Sequence, residues 1–193
     1  GSTTTAIIAA AMLREHPGAT IIHNLIVSKA VPEVIAEGGG VAVRTRVGHS
    51  YIKAVMAEHD ALFGGEHSAH YYFADNYRAD SGLIAAMVVL AEMSRSGQPL
   101  SELRQPFERY AASGEINSVV ADPIGTMARV EEAYMGADRD HLDGLTVDLG
   151  DWWFNLRSSN TEPLLRLNLE AADDEAVAEH SAEVLTLIRG KES

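Results

Sequence analysis

Two layered domains are expected from this sequence. The first is an α/β domain with helices packed on a mixed sheet over residues 1–110; the second is a smaller α+β domain, an antiparallel sheet with helices on one face, over residues 111–193. Three observations predict this division. Helix and strand signals alternate through the first part, the second part gathers strands joined by turns and closes on a helix, and the small residues at 111–114 mark a change of pattern that reads as a hinge. At 193 residues the chain can bury a good core, and 46% hydrophobic with 22% charged residues is the composition of a globular protein rather than a disordered one.

The elements follow in order. Residues 3–15, rich in Ala and Ile, predict a helix closed by His16-Pro17-Gly18, and 20–26 predict a buried strand. Residues 28–37 predict a helix stopped by Gly38-Gly39-Gly40, and 41–45 a second strand. Ser50 is placed to cap a helix that runs to about His59. Residues 61–65 predict a third strand, which delivers a Glu66-His67-Ser68 loop to the Tyr71-Tyr72-Phe73 strand. Asp80 or Ser81 opens a long apolar helix ending near Gly97, and 101–110 predict a shorter one. Beyond the hinge come a strand at 117–121, a helix at 123–135 with Pro123 in its first turn, strands at 145–149, 152–156 and 164–169, and a terminal helix at 173–189.

Charge narrows the function classes. With 28 Asp and Glu against 15 Lys and Arg, the net charge is -13, which opposes broad attraction to nucleic acid or to an anionic membrane. An anionic ligand would need a local basic pocket. No cysteine is present, so disulfides and thiolate metal sites are unavailable and a reducing cytosol suits the chain. The longest apolar run, 83–91, is too short to span a bilayer, and no signal-peptide pattern opens the sequence. Gly1-Ser2 reads as a cloning remnant, from which the native protein is expected to continue upstream.

The candidate basic pocket is Arg157-Ser158-Ser159-Asn160-Thr161-Glu162-Pro163-Leu164-Leu165-Arg166. A phosphate dianion calls for a guanidinium fork with hydroxyl, amide and backbone N–H donors at close range, all of which this stretch supplies. The same residues also suit a plain turn between two strands, with the arginines solvated. A second segment is Gly64-Gly65-Glu66-His67-Ser68-Ala69-His70-Tyr71-Tyr72-Phe73. Glu66, His67 and His70, with His49, have the residue types of a zinc site, although glycines and a strand surround them where such motifs normally lie in a helix.

Taken with Thr45-Arg46-Val47-Gly48-His49-Ser50 and Asp80-Ser81-Gly82, these segments resemble the C-terminal half of the α-D-phosphohexomutases, of the bacterial phosphomannomutase/phosphoglucomutase type. The resemblance runs from about Thr3 to about Arg189. It implies that Glu66 and Ser68 grasp neighbouring hydroxyls of a hexose, that His49 and His70 lie at the bound sugar, and that Arg157, Ser159, Asn160 and Thr161 hold the phosphate that is not being transferred. As loop residues, Glu66 and Ser68 are expected to tolerate Ala with the fold intact. Two departures stand out: Ala69 replaces a residue that is often Gly in the family, and Ile26 sits where relatives carry a basic residue, with Lys29 three positions on.

The family interconverts hexose 6-phosphate and hexose 1-phosphate through a bisphosphorylated intermediate, using a phosphoserine and Mg2+ in an Asp-rich loop. Neither the Thr-Ala-Ser-His-Asn-Pro nor the Asp-Gly-Asp-x-Asp type of motif occurs in these residues. The resemblance therefore implies domains three and four of a four-domain cytoplasmic enzyme. Its partners would be mannose or glucose 1-/6-phosphate and the N-terminal domains of the same protein, and the fragment alone would be inactive. The alternative is a stand-alone sugar-phosphate-binding regulatory module.

Overall fold

Each half of the chain folds around its own sheet. The computed structural model describes residues 1–159 and 162–190, and the chain divides into the units Gly1–Arg109 and Tyr110–Ser193. The first unit runs α1 (Ser2–Glu15), β1 (Thr20–Asn24), α2 (Ala30–Glu37), β2 (Val41–Thr45), α3 (His49–Glu58), β3 (Phe63–Gly65), β4 (Tyr71–Phe73), β5 (Ala79–Asp80), α4 (Gly82–Ser96) and α5 (Leu100–Leu103). Its strands lie in the order β2-β1-β3-β4-β5, with β2, β1 and β3 parallel, β4 antiparallel to β3 and β5 antiparallel to β4. The sheet is mixed, as expected.

The period-2 alternation of strands decides which helix meets which face. Ile21, Phe63 and Phe73 join the core made with α1, α2 and α4, whereas Ile22 and Tyr72 on the opposite face pack on Ile52 and Met56 of α3. Gly64 and Gly65 sit between these layers. A Cβ on Gly64 would lie 3.1 Å from the Met56 sulfur, and one on Gly65 would lie 2.3 Å from Thr5 of α1, so β3 approaches helices on both sides only because it lacks side chains there.

Three expectations are corrected in this half. Gly48, at φ 129, occupies the N-cap of α3 without a side-chain bond, so Ser50 is not the cap. Residues 101–110 do not form one helix: α5 is a single turn and Pro106 then directs a 3-10 turn at Gln105–Phe107. Residues 25–26 lie beyond β1 in a turn, with Leu25 and Ile26 buried, so the strand expected over 20–26 ends at Asn24. The first unit closes on Arg109, whose guanidinium meets Glu33 at 2.8 Å and Glu37 at 2.6 Å on α2.

The second unit runs β6 (Ala111–Val119), α6 (Pro123–Ala133), β7 (Asp138–Asp140), β8 (Leu145–Asp148), β9 (Trp153–Ser158), β10 (Leu164–Ala171) and α7 (Asp174–Arg189). The sheet, ordered β6-β10-β9-β8-β7, is antiparallel throughout. Leu145, Val147, Phe154, Leu156, Leu165, Leu167 and Leu169 form one apolar face, packed with Val130 and Tyr134 of α6 and its C-cap and with Val177, Val184 and Ile188 of α7. Both helices start on aspartate caps, Asp122 accepting from the Gly125 N–H and Asp173 from the Ala176 N–H, each at 2.9 Å.

The expected hinge at 111–114 is a strand. Ala111 and Ala112 pair with Ala171 and Glu170 of β10, and the register slips by one residue before Glu115 pairs with Asn168. That slip is a β-bulge at Ser113 and Gly114: Gly114 takes φ +67, and the Ser113 hydroxyl accepts the Leu169 N–H at 3.0 Å that the bulge leaves without a strand carbonyl. Small residues mark a bulge here, not a linker.

Candidate functional site

In the first unit the loop 66–70 is a tight reversal between β3 and β4, set by the register Gly65↔Tyr71. The Glu66 N–H donates to the His70 carbonyl at 3.0 Å, and the Ala69 N–H to the Glu66 carbonyl at 3.1 Å. The turn needs a left-handed residue, and Ala69 supplies it at φ +66. The departure from Gly thus falls on a position where an alanine is strained.

Loop membership does not put Glu66 in solvent. The residue is 2% exposed. Tyr72 Oη donates to its Oε1 at 2.6 Å and Asn24 Nδ2 donates to its Oε2 at 3.3 Å, while Asn24 Oδ1 accepts the His67 N–H at 3.5 Å. Burial, then the bond to Glu66, pushes the Tyr72 hydroxyl far above its ordinary value, so it remains a donor throughout the physiological range. This corrects the expectation that Glu66 could be removed without structural cost: its loss would strand two buried donors.

Ser68 and His70 are exposed on the same loop. His70 Nδ1 meets Asp80 Oδ2 at 2.6 Å, and Asp80 Oδ1 accepts the Tyr71 N–H at 2.8 Å. The hydrogen bond to Asp80 raises the His70 pKa against the small opposing effect of burial. For Asp80, burial acts against ionisation, but the bonds from His70 and Tyr71 outweigh it and hold the carboxyl below its usual range. Next to it Ser81 caps α4, its hydroxyl accepting the Ile84 N–H at 3.2 Å. His49 is the exposed first residue of α3, and the Arg46 guanidinium just before it lies 4.9 Å from the Tyr51 ring centroid.

The zinc alternative has no such geometry: among the described residues no three of His, Cys, Asp and Glu converge as a metal-holding group. His67 instead turns its Nδ1 towards the Ser2 hydroxyl at 3.4 Å.

In the second unit, Arg157 of β9 and Arg166 of β10 are directly opposite each other. They lie on the face away from the apolar core, since their neighbours Leu156, Leu165 and Leu167 fill that core. The Ser159 N–H donates to the Leu164 carbonyl at 2.9 Å, which closes the connection, and the Ser159 hydroxyl accepts from Arg166 Nη2 at 3.4 Å. Asn160 and Thr161 lie outside the described residues. Glu115 was not foreseen as part of this group: its Oε2 accepts from Arg157 Nη2 at 3.0 Å and its Oε1 from Arg166 Nη1 at 3.1 Å. The available signal was alternation on β10, where Arg166, Asn168 and Glu170 take every second position among Leu165, Leu167, Leu169 and Ala171, and pairing sets Glu115 and Arg157 on the same face.

Among the described residues, no helix is long and apolar enough to cross a membrane. The family model for phosphoglucomutase/phosphomannomutase, alpha/beta/alpha domain III, matches residues 1–110, and the model for the C-terminal domain matches 115–187. The phosphomannomutase of Methanocaldococcus jannaschii is 44% identical over 188 residues, covering 97% of this chain and 42% of that protein. The phosphomannomutase of Salmonella montevideo is 42% identical over 186 residues, covering 94% of this chain and 41% of that protein. The chain thus spans about two fifths of the length of these relatives. A crystal structure of a phosphoglucomutase/phosphomannomutase family protein from Burkholderia thailandensis superposes with TM-score 0.83 at 26% identity, covering 100% of this chain and 42% of that one. The N-acetylphosphoglucosamine mutase of Aspergillus fumigatus, solved with GlcNAc-6P and magnesium, shares the fold at TM-score 0.71 and 13% identity, covering 98% of this chain and 43% of that one. With both family models matched in order along the sequence, the chain belongs to the phosphoglucomutase/phosphomannomutase family and comprises its domain III and its C-terminal domain.

Proposed function

We propose that this chain is the sugar-reading and phosphate-holding part of a cytoplasmic phosphohexomutase that interconverts hexose 6-phosphate and hexose 1-phosphate, with mannose or glucose as the hexose. In the first unit Ser68 and Glu66 bind ring hydroxyls, and His70 and His49 lie at the sugar. Asp80 occupies His70 Nδ1 and so leaves Nε2 for the ligand. Each Glu66 oxygen keeps a second lone pair after accepting from Tyr72 or Asn24, and these are the acceptors offered to the sugar hydroxyls. In the second unit Arg157, with Ser159, Asn160 and Thr161, holds the phosphate that does not react.

One observation carries this reading. In a chain of net charge -13, two arginines are aligned across adjacent strands on the sheet face away from the apolar core, next to a hydroxyl-rich connection. The carboxylate they share, Glu115, balances only one of the two opposed charges, whereas a phosphate dianion is matched to two guanidinium groups. Magnesium supplies charge neutralisation at the transferring phosphoryl group in this class of reaction. The residues here do not fit it, since no carboxylate cluster of the required kind occurs among those described, and its site is proposed to lie in the N-terminal domains of the intact protein. Those domains are also the expected source of the phosphoserine, so the 193-residue chain alone binds phosphosugar without turning it over.

Arg157→Ala tests the reading. In the intact enzyme the substitution is expected to weaken phosphosugar binding roughly tenfold to a hundredfold, the value of a lost charge-assisted contact. Unchanged kcat and KM would refute the phosphate assignment.

A further inference from the structure

We propose that Glu115 is the resident counter-anion of Arg157 and Arg166, a carboxylate that occupies the phosphate-holding charge of the second unit and is displaced when phosphate binds. It thereby sets how loosely the site holds its anion. The proposal rests on the reading of Arg157 as a phosphate anchor.

The placement of Glu115 is the first observation. It lies on β6, whereas Arg157 is two strands away on β9, with β10 between them. The directly opposed neighbours are Asn168 for Glu115 and Arg166 for Arg157, so Glu115 reaches diagonally over β10 to touch both arginines. Its two oxygens are divided, one to each guanidinium, at 3.0 and 3.1 Å. A carboxylate serving one arginine as a structural partner would normally take two donors of the same fork. Glu115 takes a single Nη from each.

The donors left over are the second observation. The Nε of Arg157 and the Nε of Arg166 are both buried without a hydrogen-bond partner among the described residues. A buried N–H without an acceptor is costly, and a group left that way in a native fold calls for an explanation. A tetrahedral dianion meets the need: its several terminal oxygens can engage Nε and Nη of both forks, which the two oxygens of one carboxylate in a bridging pose cannot. Phosphate and Glu115 therefore compete for the same two positive charges. While Glu115 is in place, the site offers a dianion a net charge of about one rather than two.

The geometry assigns Glu115 a consequence for function. A site that must take up one phosphate and let it go again gains from an internal anion that refills it on departure, because the arginines are never left facing each other unneutralised. Glu115 makes no contact with the reaction itself; it acts on affinity through the arginines.

The test is a titration of the 193-residue chain with inorganic phosphate, followed by NMR, for the wild type and for Glu115→Gln and Arg157→Ala. Glu115→Gln is expected to bind phosphate about tenfold more tightly, the scale of removing one like charge a few ångströms from a dianion at a partly solvated site. Binding by Glu115→Gln when the wild type shows none also supports the proposal. Equal or weaker binding by Glu115→Gln, or no binding by either protein, overturns it, since Glu115 would then only brace the arginines. If Arg157→Ala binds phosphate as well as the wild type, the phosphate reading of the site fails instead. The wild type gives a second readout that does not depend on any variant folding: the side-chain carboxyl 13C resonance of Glu115 must move as phosphate saturates. A Glu115 resonance that stays fixed while the Arg157 side-chain signals shift overturns displacement directly.

Discussion

Glu66 and Arg157 are the charges on which the two units are proposed to act, and the units keep them in opposite ways. Glu66 is buried beneath its loop, where it accepts from two neutral donors, the Tyr72 hydroxyl and the Asn24 amide. Arg157 sits on a sheet face with a side chain 13% exposed, and its partner is another charge, Glu115, itself 30% exposed. A buried carboxylate depends on its hydrogen bonds, because ionisation in a dry site is otherwise prohibitive. A guanidinium near the surface depends on a counter-ion that salt or a ligand can replace. The first arrangement is tied to stability and the second to affinity.

That contrast is broken most readily by truncating both charges. Glu66→Ala is expected to destabilise the first unit by about 2–3 kcal/mol, because it strands the Tyr72 hydroxyl and an Asn24 donor in the interior. Arg157→Ala is expected to cost less than about 1 kcal/mol, since the pair it breaks is partly solvated and Arg166 still holds Glu115. Urea unfolding followed by circular dichroism compares them. Both tryptophans, Trp152 and Trp153, lie in the second unit, so their fluorescence reports that unit alone. Equal losses for the two variants would end the distinction.

Acid should separate the units as well. His23 is buried on β1, and burial lowers its pKa from 6.5 to about 4, with its Nδ1 3.0 Å from the Asn24 carbonyl. The unfolded chain therefore takes up this proton first, so the contribution is fully present above pH 6.5 and is lost as pH falls towards 4. By pH 5 the loss amounts to about 2 kcal/mol. His70 has the opposite sign: its raised pKa gives a contribution present at low pH and lost as pH rises through the folded value, and its exposure keeps that small. The measurement is stability against pH from 7 to 5. The first unit is expected to weaken before the tryptophan signal changes, and His23→Gln is expected to flatten the slope in that window. A slope unaltered by His23→Gln would exclude His23 as its origin.

The features legible in the sequence and those that were not differ in the range of the interactions behind them. β9 and β10 are readable because Phe154, Leu156, Leu165, Leu167 and Leu169 alternate with polar residues, and α4 because Ser81 and Gly97 punctuate it. β7, written Asp138-Arg139-Asp140, carries no apolar signal, because a three-residue edge strand is held by pairing to β8 and not by burial. Residues 111–114 look like a linker since a bulge and a hinge both favour small residues. The site divides in the same way. Loops 66–70 and 157–166 are contiguous motifs, whereas Glu115 is 42 residues from Arg157 and 51 from Arg166, and Asn24 is 42 from Glu66. Such pairings exist only after the sheets have formed, and local pattern does not record them.

A single small substitution sharpens the comparison from within the 66–70 loop. Ala69 stands at φ +66, where the Cβ of an L-residue crowds the backbone, and the turn cannot relax because the Glu66–His70 and Ala69–Glu66 backbone bonds fix it on either side. Ala69→Gly removes the strain but returns conformational freedom to the unfolded chain, and the first effect outweighs the second where φ is positive. A net gain of about 1 kcal/mol is expected, confined to the first unit: the circular dichroism midpoint in urea should rise while the tryptophan midpoint stays put. Because Glu66 hangs from the same turn, the outcome also reads on function. If the strain serves to hold Glu66 beneath Tyr72 and Asn24, the stabilised Gly variant will bind phosphosugar less well in the intact enzyme. If the strain is incidental, affinity is unchanged and only stability moves. A loss of stability in Ala69→Gly would mean that the left-handed turn is not the strained element, and that the bonds of Glu66 alone set the loop.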